Sequence, residues 1–249
     1  MTARLGEIWR YPVKSHGREA LTGVEVTVGA TLPWDRHWAV AHEAAMVPDI
    51  GWSPCQAFSR GAKAPGLMAI WSSLDPASCT ITMTHPDLGS ITFQPGKDDA
   101  ALLDWSAPLI PQGRARSARI VRGGKVGMTD SDYPSISILS TSSLDALGAM
   151  AGAPLASGRF RGNLWIDGLA PWAETEWVGK TLVIGDVRFD IRERIERCRA
   201  TEANPDTGQR DENVLAHLEA AGQEAFFGLH AVAANSGTIK VGDRVTLAA

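Results

Sequence analysis

Cys198 sits between two arginines in the run Arg197-Cys198-Arg199-Ala200-Thr201. Positive charge beside a thiol favours its thiolate, and a soft thiolate suits a soft-leaning transition metal. The stretch that follows, Asn204-Pro205-Asp206-Thr207-Gly208, is a tight-turn signal. Three further stretches carry polar chemistry. Tyr11-Pro12-Val13-Lys14-Ser15 sets a cation and a hydroxyl side by side behind a stiffening proline, a pair able to hold an anionic oxygen. Asp35-Arg36-His37-Trp38 carries a planar guanidinium that either pairs with Asp35 in the core or points at a phosphate. Arg159-Phe160-Arg161-Gly162-Asn163 brackets a turn with two arginines, and its glycine permits close backbone approach. Each stretch also has a plain reading: a solvated turn, a core ion pair, a surface ladder of charges and, for Cys198, a small buried apolar residue. None is specific alone.

Other catalytic signatures are missing from the sequence. It has no P-loop, no dinucleotide fingerprint and no HExxH, and no GxSxG elbow. Its six histidines are scattered without ligand spacing. Cys55, Cys79 and Cys198 form neither a CxxC nor a zinc pattern. So odd and sparse a set reads as free thiols in a reducing compartment.

The elements that must position these residues are mostly strands. Val24, Val26 and Val28 alternate with polar residues, as a half-buried strand does. Thr80–Thr84 and Ser90–Phe93 read as a hairpin. Leu182–Ile184 and Val187–Ile191 flank Gly185-Asp186, a second hairpin signal. Leu164–Ile166 is a strand directly after Asn163, and Gly237–Leu247 holds two short β segments around Val241-Gly242-Asp243. Helices are few. Ser142-Ser143-Leu144-Asp145 has capping-box spacing and precedes Leu147 and Met150 at helical intervals. Asn213–Ala221 and Asp98–Trp105 are the other two helices expected. The stretch Pro108–Arg119, rich in Pro, Gly and Arg, is the expected boundary between two β-rich halves.

Composition bounds the function classes. The 249 residues suffice for one large core or two modest ones, and 44% hydrophobic with 21% charged residues is ordinary for a globular chain. A net charge of −4 argues against a nucleic-acid partner, while leaving room for a local basic cleft. No apolar run approaches the roughly 20 residues that span a bilayer. The N-terminal MTARLGEIWRYPVKS lacks the apolar stretch of a signal peptide. A cytoplasmic protein with no membrane partner is expected.

Taken together and in order, these stretches resemble the MOSC family, including its MOSC N-terminal β-barrel-like domain and the amidoxime-reducing relatives. The N-terminal part matches through Ile8–Ser15 and Asp35–Trp38, and more weakly through Arg60, Pro65 and Leu67. The C-terminal part matches through Asp130–Leu147, the Arg159–Asn163 run, Trp177-Val178-Gly179, Ile184-Gly185-Asp186, the Cys198 segment and Gly237–Leu247.

The resemblance implies a mainly β fold with a few α-helices in two β-barrel-like domains. Residues 1–95 would form the MOSC N-terminal domain, 96–119 a linker and 120–249 the MOSC domain. It implies a pyranopterin molybdenum cofactor, with Cys198 as the metal ligand and catalytic thiolate. Lys14, Ser15 and Arg36 would hold its terminal phosphate, and Ser142, Arg161, Asn163 and Arg197 would line the pterin and metal. The activity implied is reduction of a small N-hydroxylated substrate. With no iron–sulfur cysteine set and no flavin fingerprint, the electrons would come from a separate flavin or iron–sulfur protein. No residue stands out as general acid, which leaves Asn163 or a bound water for that role. The alternative is a non-catalytic cofactor or sulfur carrier using a Cys198 persulfide.

Three departures bear on substrate preference. Gly162 replaces the family's usual proline, predicting a more flexible loop. Gly96–Arg119 is shorter than the family's tryptophan-bearing linker, and Ala41-His42 replaces an acidic position. Cys55 and Cys79 fall outside the matched motif and are expected to be dispensable for the metal site.

Overall fold

A computed structural model describes residues 2–124 and 126–248. Alternating apolar residues build its largest element, an eight-stranded sheet that draws on both ends of the chain. The first strands are β1 (Arg4–Arg10), β2 (Glu19–Leu21), β3 (Gly23–Val26), β4 (Trp38–His42), β5 (Trp71–Asp75), β6 (Thr80–His85) and β7 (Gly89–Phe93). Helix α1 (Asp99–Ser106), strands β8 (Ser117–Arg122) and β9 (Ile136–Ser140), helix α2 (Thr141–Ala151) and strand β10 (Leu164–Asp167) follow. The chain continues through β11 (Thr181–Ile184), β12 (Val187–Glu196), α3 (Val214–Ala220), β13 (Phe226–Ala233), β14 (Gly237–Lys240) and β15 (Val245–Leu247).

The large sheet runs β15-β11-β12-β13-β9-β10-β1-β2. β1 pairs antiparallel with β10, and β10 lies parallel to β9. The C-terminal end of β1 therefore meets the N-terminal ends of β9 and β10. Three smaller sheets complete the fold: β14-β3, β4-β8 and β5-β6-β7. Among the described residues no sheet closes on itself, so the barrel expectation holds only loosely, while the mainly β character with three α-helices is as read.

Separate apolar clusters fill the interior. Leu5, Ile8, Ile138, Ile166 and Phe189 pack on one face of the large sheet. Leu144 and Leu147 of α2 pack with Val214 and Leu218 of α3 against Trp165 and Phe227. Val13, Leu67, Ile81, Phe93 and Leu102 form the core around β5–β7 and α1. Both hairpins read from the sequence form, β6 pairing antiparallel with β7 and β11 with β12. By contrast, β14 and β15 do not pair with each other; β14 joins β3 and β15 joins β11.

One local expectation changes. Helix α2 starts at Thr141, capped by Ser140, whose hydroxyl accepts from the Ser143 amide, so Ser142 is already inside the first turn. The Ser143 hydroxyl bonds Glu174 instead of serving as a cap. The 96–119 stretch carries α1, the helix expected over Asp98–Trp105, and the start of β8, which pairs with β4.

Candidate functional site

The two N-terminal motifs form one unit because their backbones are laced together. Arg36 N donates to Tyr11 O at 2.7 Å, Trp38 N to Pro12 O at 3.1 Å and Lys14 N to Trp38 O at 2.8 Å. The buried Asp35 carboxylate accepts from the Tyr11 amide and pairs with the Arg36 guanidinium. Arg36 is thus the core ion pair that one of its two readings expected, and its side chain also lines a cleft.

That cleft encloses roughly 900 Å³ of empty space, counting its open mouth. Lys14, Ser15, Arg36, Arg161, Asn163, Arg197 and Cys198 all line it. Seven of the eight residues nominated from sequence therefore converge, although they span most of the chain. Ser142 does not; it lies on α2, away from the lining. Ser135 and Ser137 line the cleft instead. They alternate with Ile136 and Ile138 at the start of β9, a period-two signal visible in the sequence.

Backbone strain concentrates here. Ser15, Arg36 and Arg161 adopt left-handed φ of 62°, 47° and 49°. Side chains rarely sit there without compensation. The surroundings hold them in place: Arg36 Nη2 donates to Arg161 O at 2.6 Å and Tyr11 Oη to Gly162 O at 3.0 Å. Both guanidiniums also stack on the Tyr11 ring, at 4.6 Å for Arg36 and 4.3 Å for Arg161. Tyr11 is fully buried, and burial raises its phenol pKa well above the usual range. It anchors the cleft but was passed over in the sequence, where only Lys14 and Ser15 of its motif offered charge-bearing chemistry.

The loop expected to be flexible at Gly162 is pinned. A Cβ there would sit 2.1 Å from Leu139 Cδ1, so glycine admits a buried leucine that a side chain would displace. Asn163 is 1% exposed. Its Oδ1 accepts from Ser137 N at 3.1 Å, Ser137 Oγ at 2.8 Å and Arg36 Nη1 at 3.3 Å, while Nδ2 donates to Trp9 O at 3.1 Å. The amide is spent on the scaffold, which suits positioning better than the acid role assigned by default.

Cys198 follows β12 directly and is exposed. Only one of its flanking arginines turns into the cleft. Arg197 donates to Phe160 O and Phe227 O, both at 2.8 Å, whereas Arg199 reaches back to Glu202 at 2.9 Å. Arg159 braces the same segment through the carbonyls of Thr201 and Glu202 and an ion pair with Asp211 at 2.7 Å. Cys55 also lines the cleft, with Arg60 Nη1 3.1 Å from its sulfur, so only Cys79 is remote.

Two of the cleft's arginines, Arg161 and Arg197, make no ion pair among the described residues. Arg161 Nη2, Arg197 Nη2 and Arg159 Nε are buried without a hydrogen-bond partner. Burial, with Arg36 close by, lowers the Arg161 pKa to about 9, and burial lowers that of Arg197 to about 10. Guanidiniums whose charge is disfavoured by the protein alone gain most from an anion. Lys14 is already engaged, with Asp130 at 2.6 Å and Met128 O at 2.8 Å. His230, on β13 opposite Ser137, adds an imidazole with an unpartnered buried Nδ1; burial, then Arg197, lowers its pKa to about 4. Among the described residues no group of three or more His, Cys, Asp or Glu is placed to hold a metal.

His16, behind the Lys14 motif, gives a pH prediction. It is fully buried, its Nδ1–H donating to Lys14 O at 2.8 Å, and burial lowers its pKa from 6.5 to about 4. The unfolded chain binds the extra proton first, so stability is complete above about pH 6.5 and declines as pH falls toward 4. The loss from His16 alone should reach about 3 kcal/mol. Urea melts from pH 7 to 4.5 should show it, with the decline smaller in His16→Gln; a flat profile in the parent would refute the burial argument.

Comparison with known proteins finds family matches on both halves of the chain. The MOSC N-terminal beta barrel domain matches residues 2–113 and the MOSC domain matches residues 127–246. Mitochondrial amidoxime-reducing component 1 of Mus musculus is 31% identical over 152 residues, covering 55% of this chain and 44% of that protein. The Homo sapiens protein of the same name is 33% identical over 129 residues, covering 47% of this chain and 38% of its own. The chain thus aligns with less than half the length of these relatives. The YUAD protein of Bacillus subtilis superposes with a TM-score of 0.48 at 11% identity, covering 99% of this chain and 96% of that one, too loosely to argue from. No helix among the described residues is long and apolar enough to cross a membrane. With one domain match on each half and the nominated residues gathered between them, the chain belongs to the MOSC family.

Proposed function

We propose that this protein is a molybdenum-cofactor-dependent oxidoreductase that reduces N-hydroxylated compounds such as hydroxylamines and amidoximes. In this reading its electrons come from a separate flavin or iron–sulfur protein. One observation carries it: an exposed thiol, Cys198, shares a cleft with buried guanidinium N–H groups that lack partners. A pyranopterin molybdenum cofactor is an anion with a soft-leaning metal, so both halves of that donor set fit it. The name of the amidoxime-reducing relatives supports the substrate class.

When bound, the cofactor supplies the two-electron chemistry at the metal. The chain's own residues bind and orient. Cys198 would give the metal its protein thiolate. Arg161 and Arg197 would donate their free N–H groups to the cofactor's anionic and carbonyl oxygens, with Ser137 in the place expected of Ser142. Ser15, Lys14 and Arg36 would border its phosphate, Lys14 after release from the exposed Asp130 carboxylate. Asn163 holds Arg36 and Ser137 in register. His230, neutral at physiological pH, can hold a hydrogen bond to substrate.

The test is elemental analysis for molybdenum on protein made in cells able to build the cofactor, with hydroxylamine turnover from an artificial electron donor. Absence of both would end the reading. The exposure of Cys198 also suits a persulfide carrier, which would show cyanide-labile sulfur without turnover.

Arg161 is a cleaner probe of the anion cradle than Arg36. Removing Arg36 leaves Asp35, 1% exposed, without its cation, a change that destabilises the fold itself. Arg161 has no carboxylate partner and is desolvated, so Arg161→Met should leave the cofactor-free protein as stable as the parent or more so. Cofactor binding should weaken by on the order of 1.5–3 kcal/mol, one lost charge-assisted contact. Molybdenum content after prolonged dialysis checks this; equal retention in variant and parent would count against the role.

A further inference from the structure

A second hollow adjoins the cleft, and Arg60 lines both. Its other polar walls are His42, Gln56, Ser59, Lys63 and Arg114, and no Asp or Glu lines it. Three cations without a carboxylate stand out in a chain whose net charge is −4. The carboxylate next in sequence, Glu43, is taken by Arg116 at 3.0 Å. Among the described residues, Arg60, Lys63 and Arg114 have no acidic side chain within ion-pair distance. Within the hollow, His42 Nε2 lies 2.9 Å from Gln56 O and therefore carries the proton, while Nδ1 is buried and unpartnered.

We propose that this hollow is a second anion site, taking a phosphate or carboxylate group carried on a small molecule. Lys63 and Arg114 are exposed and close on the anion from the rim, and Arg60 meets it from the wall. Because Arg60 also donates to Cys55 Sγ in the cleft, an occupant of the hollow competes for the guanidinium that steadies Cys55. If the proposed reductase function holds, the same site favours substrates, or a separate effector, with an anionic group. Anion binding itself does not depend on that function.

The test is calorimetric titration of the purified protein, as isolated with its cofactor, using inorganic phosphate and then benzoate. Binding of at least one anion should weaken by about tenfold or more in the double variant Lys63→Gln, Arg114→Gln, and should persist in Arg161→Met. Both substituted side chains are exposed, so melting temperature should not change. Unchanged affinity in the double variant, no binding to the parent, or loss in Arg161→Met alone would overturn the site. Loss in Arg161→Met alone would assign the anion to the cleft. Turnover then separates the two sources. If the anion is a substrate tail, a carboxylate-bearing hydroxylamine has a lower KM than a neutral one, and the double variant loses that advantage. If it is an effector, phosphate changes turnover of the neutral substrate, and the double variant does not respond.

Discussion

Cys198→Ser is expected to abolish reduction of N-hydroxylated substrates while leaving the melting temperature nearly unchanged. The side chain is exposed, so exchanging sulfur for oxygen disturbs no packing and should alter stability by under about 0.5 kcal/mol. A serine oxygen is hard and seldom ionised, and is a poor substitute for a thiolate on a soft-leaning metal. Cys79 supplies the control. It lies in the turn between β5 and β6, outside the cleft, and Cys79→Ser should keep full turnover. Cys55→Ser is no longer a neutral control, because its sulfur lines the cleft and accepts from Arg60. Hydroxylamine turnover and thiol alkylation on the three single variants check the assignment. Normal turnover in Cys198→Ser would remove Cys198 from the metal site.

Asn163→Ala is expected to destabilise the fold strongly. It leaves the Ser137 amide and the Trp9 carbonyl without a partner in a site that is 1% exposed, and removes the acceptor of the Ser137 hydroxyl, which keeps only the Asn163 backbone N–H. Each buried orphan costs about 1–3 kcal/mol, so a loss of about 3 kcal/mol or more is expected. For a chain of this size that lowers the melting temperature by roughly 6–12 °C. The measurement belongs on cofactor-free protein, where a catalytic role contributes nothing. A variant that melts like the parent but does not turn over would restore Asn163 to the acid role and discard the scaffold reading.

The residues that converge on the cleft were legible because each motif pairs a charge or hydroxyl with a backbone-shaping residue: Pro12 before Lys14, Gly162 before Asn163, Pro205 after Cys198. Strand alternation was equally plain, and the hairpins at Thr80–Phe93 and Leu182–Ile191 pair as read. Ser142 was misplaced because three hydroxyl residues in a row, Thr141 to Ser143, offer competing caps; the structure uses Ser140, one residue earlier still. Ser137 was overlooked because a serine in an apolar strand carries no charge to draw notice. Cys55 was dismissed on motif grounds, which say nothing about which loops meet in space.

By itself the sequence determined the chemistry available: one thiol flanked by arginines, an acidic chain with local basic motifs, and a strand-rich order of elements. These follow from side-chain type and short-range spacing, which act within a few residues. Only the tertiary structure decided how those groups are used. It paired β1 with β10 and β3 with β14, folding residues from the first 30 positions onto the last half of the chain. It spent Asn163 and Arg36 on the scaffold, turned Arg197 inward and Arg199 outward, and left Arg161 and Arg197 with buried N–H groups lacking partners. Most of those outcomes depend on desolvation and on hydrogen-bond satisfaction between segments distant in the chain, such as Arg36 with Asn163 and Arg197 with Phe160, which local spacing does not encode.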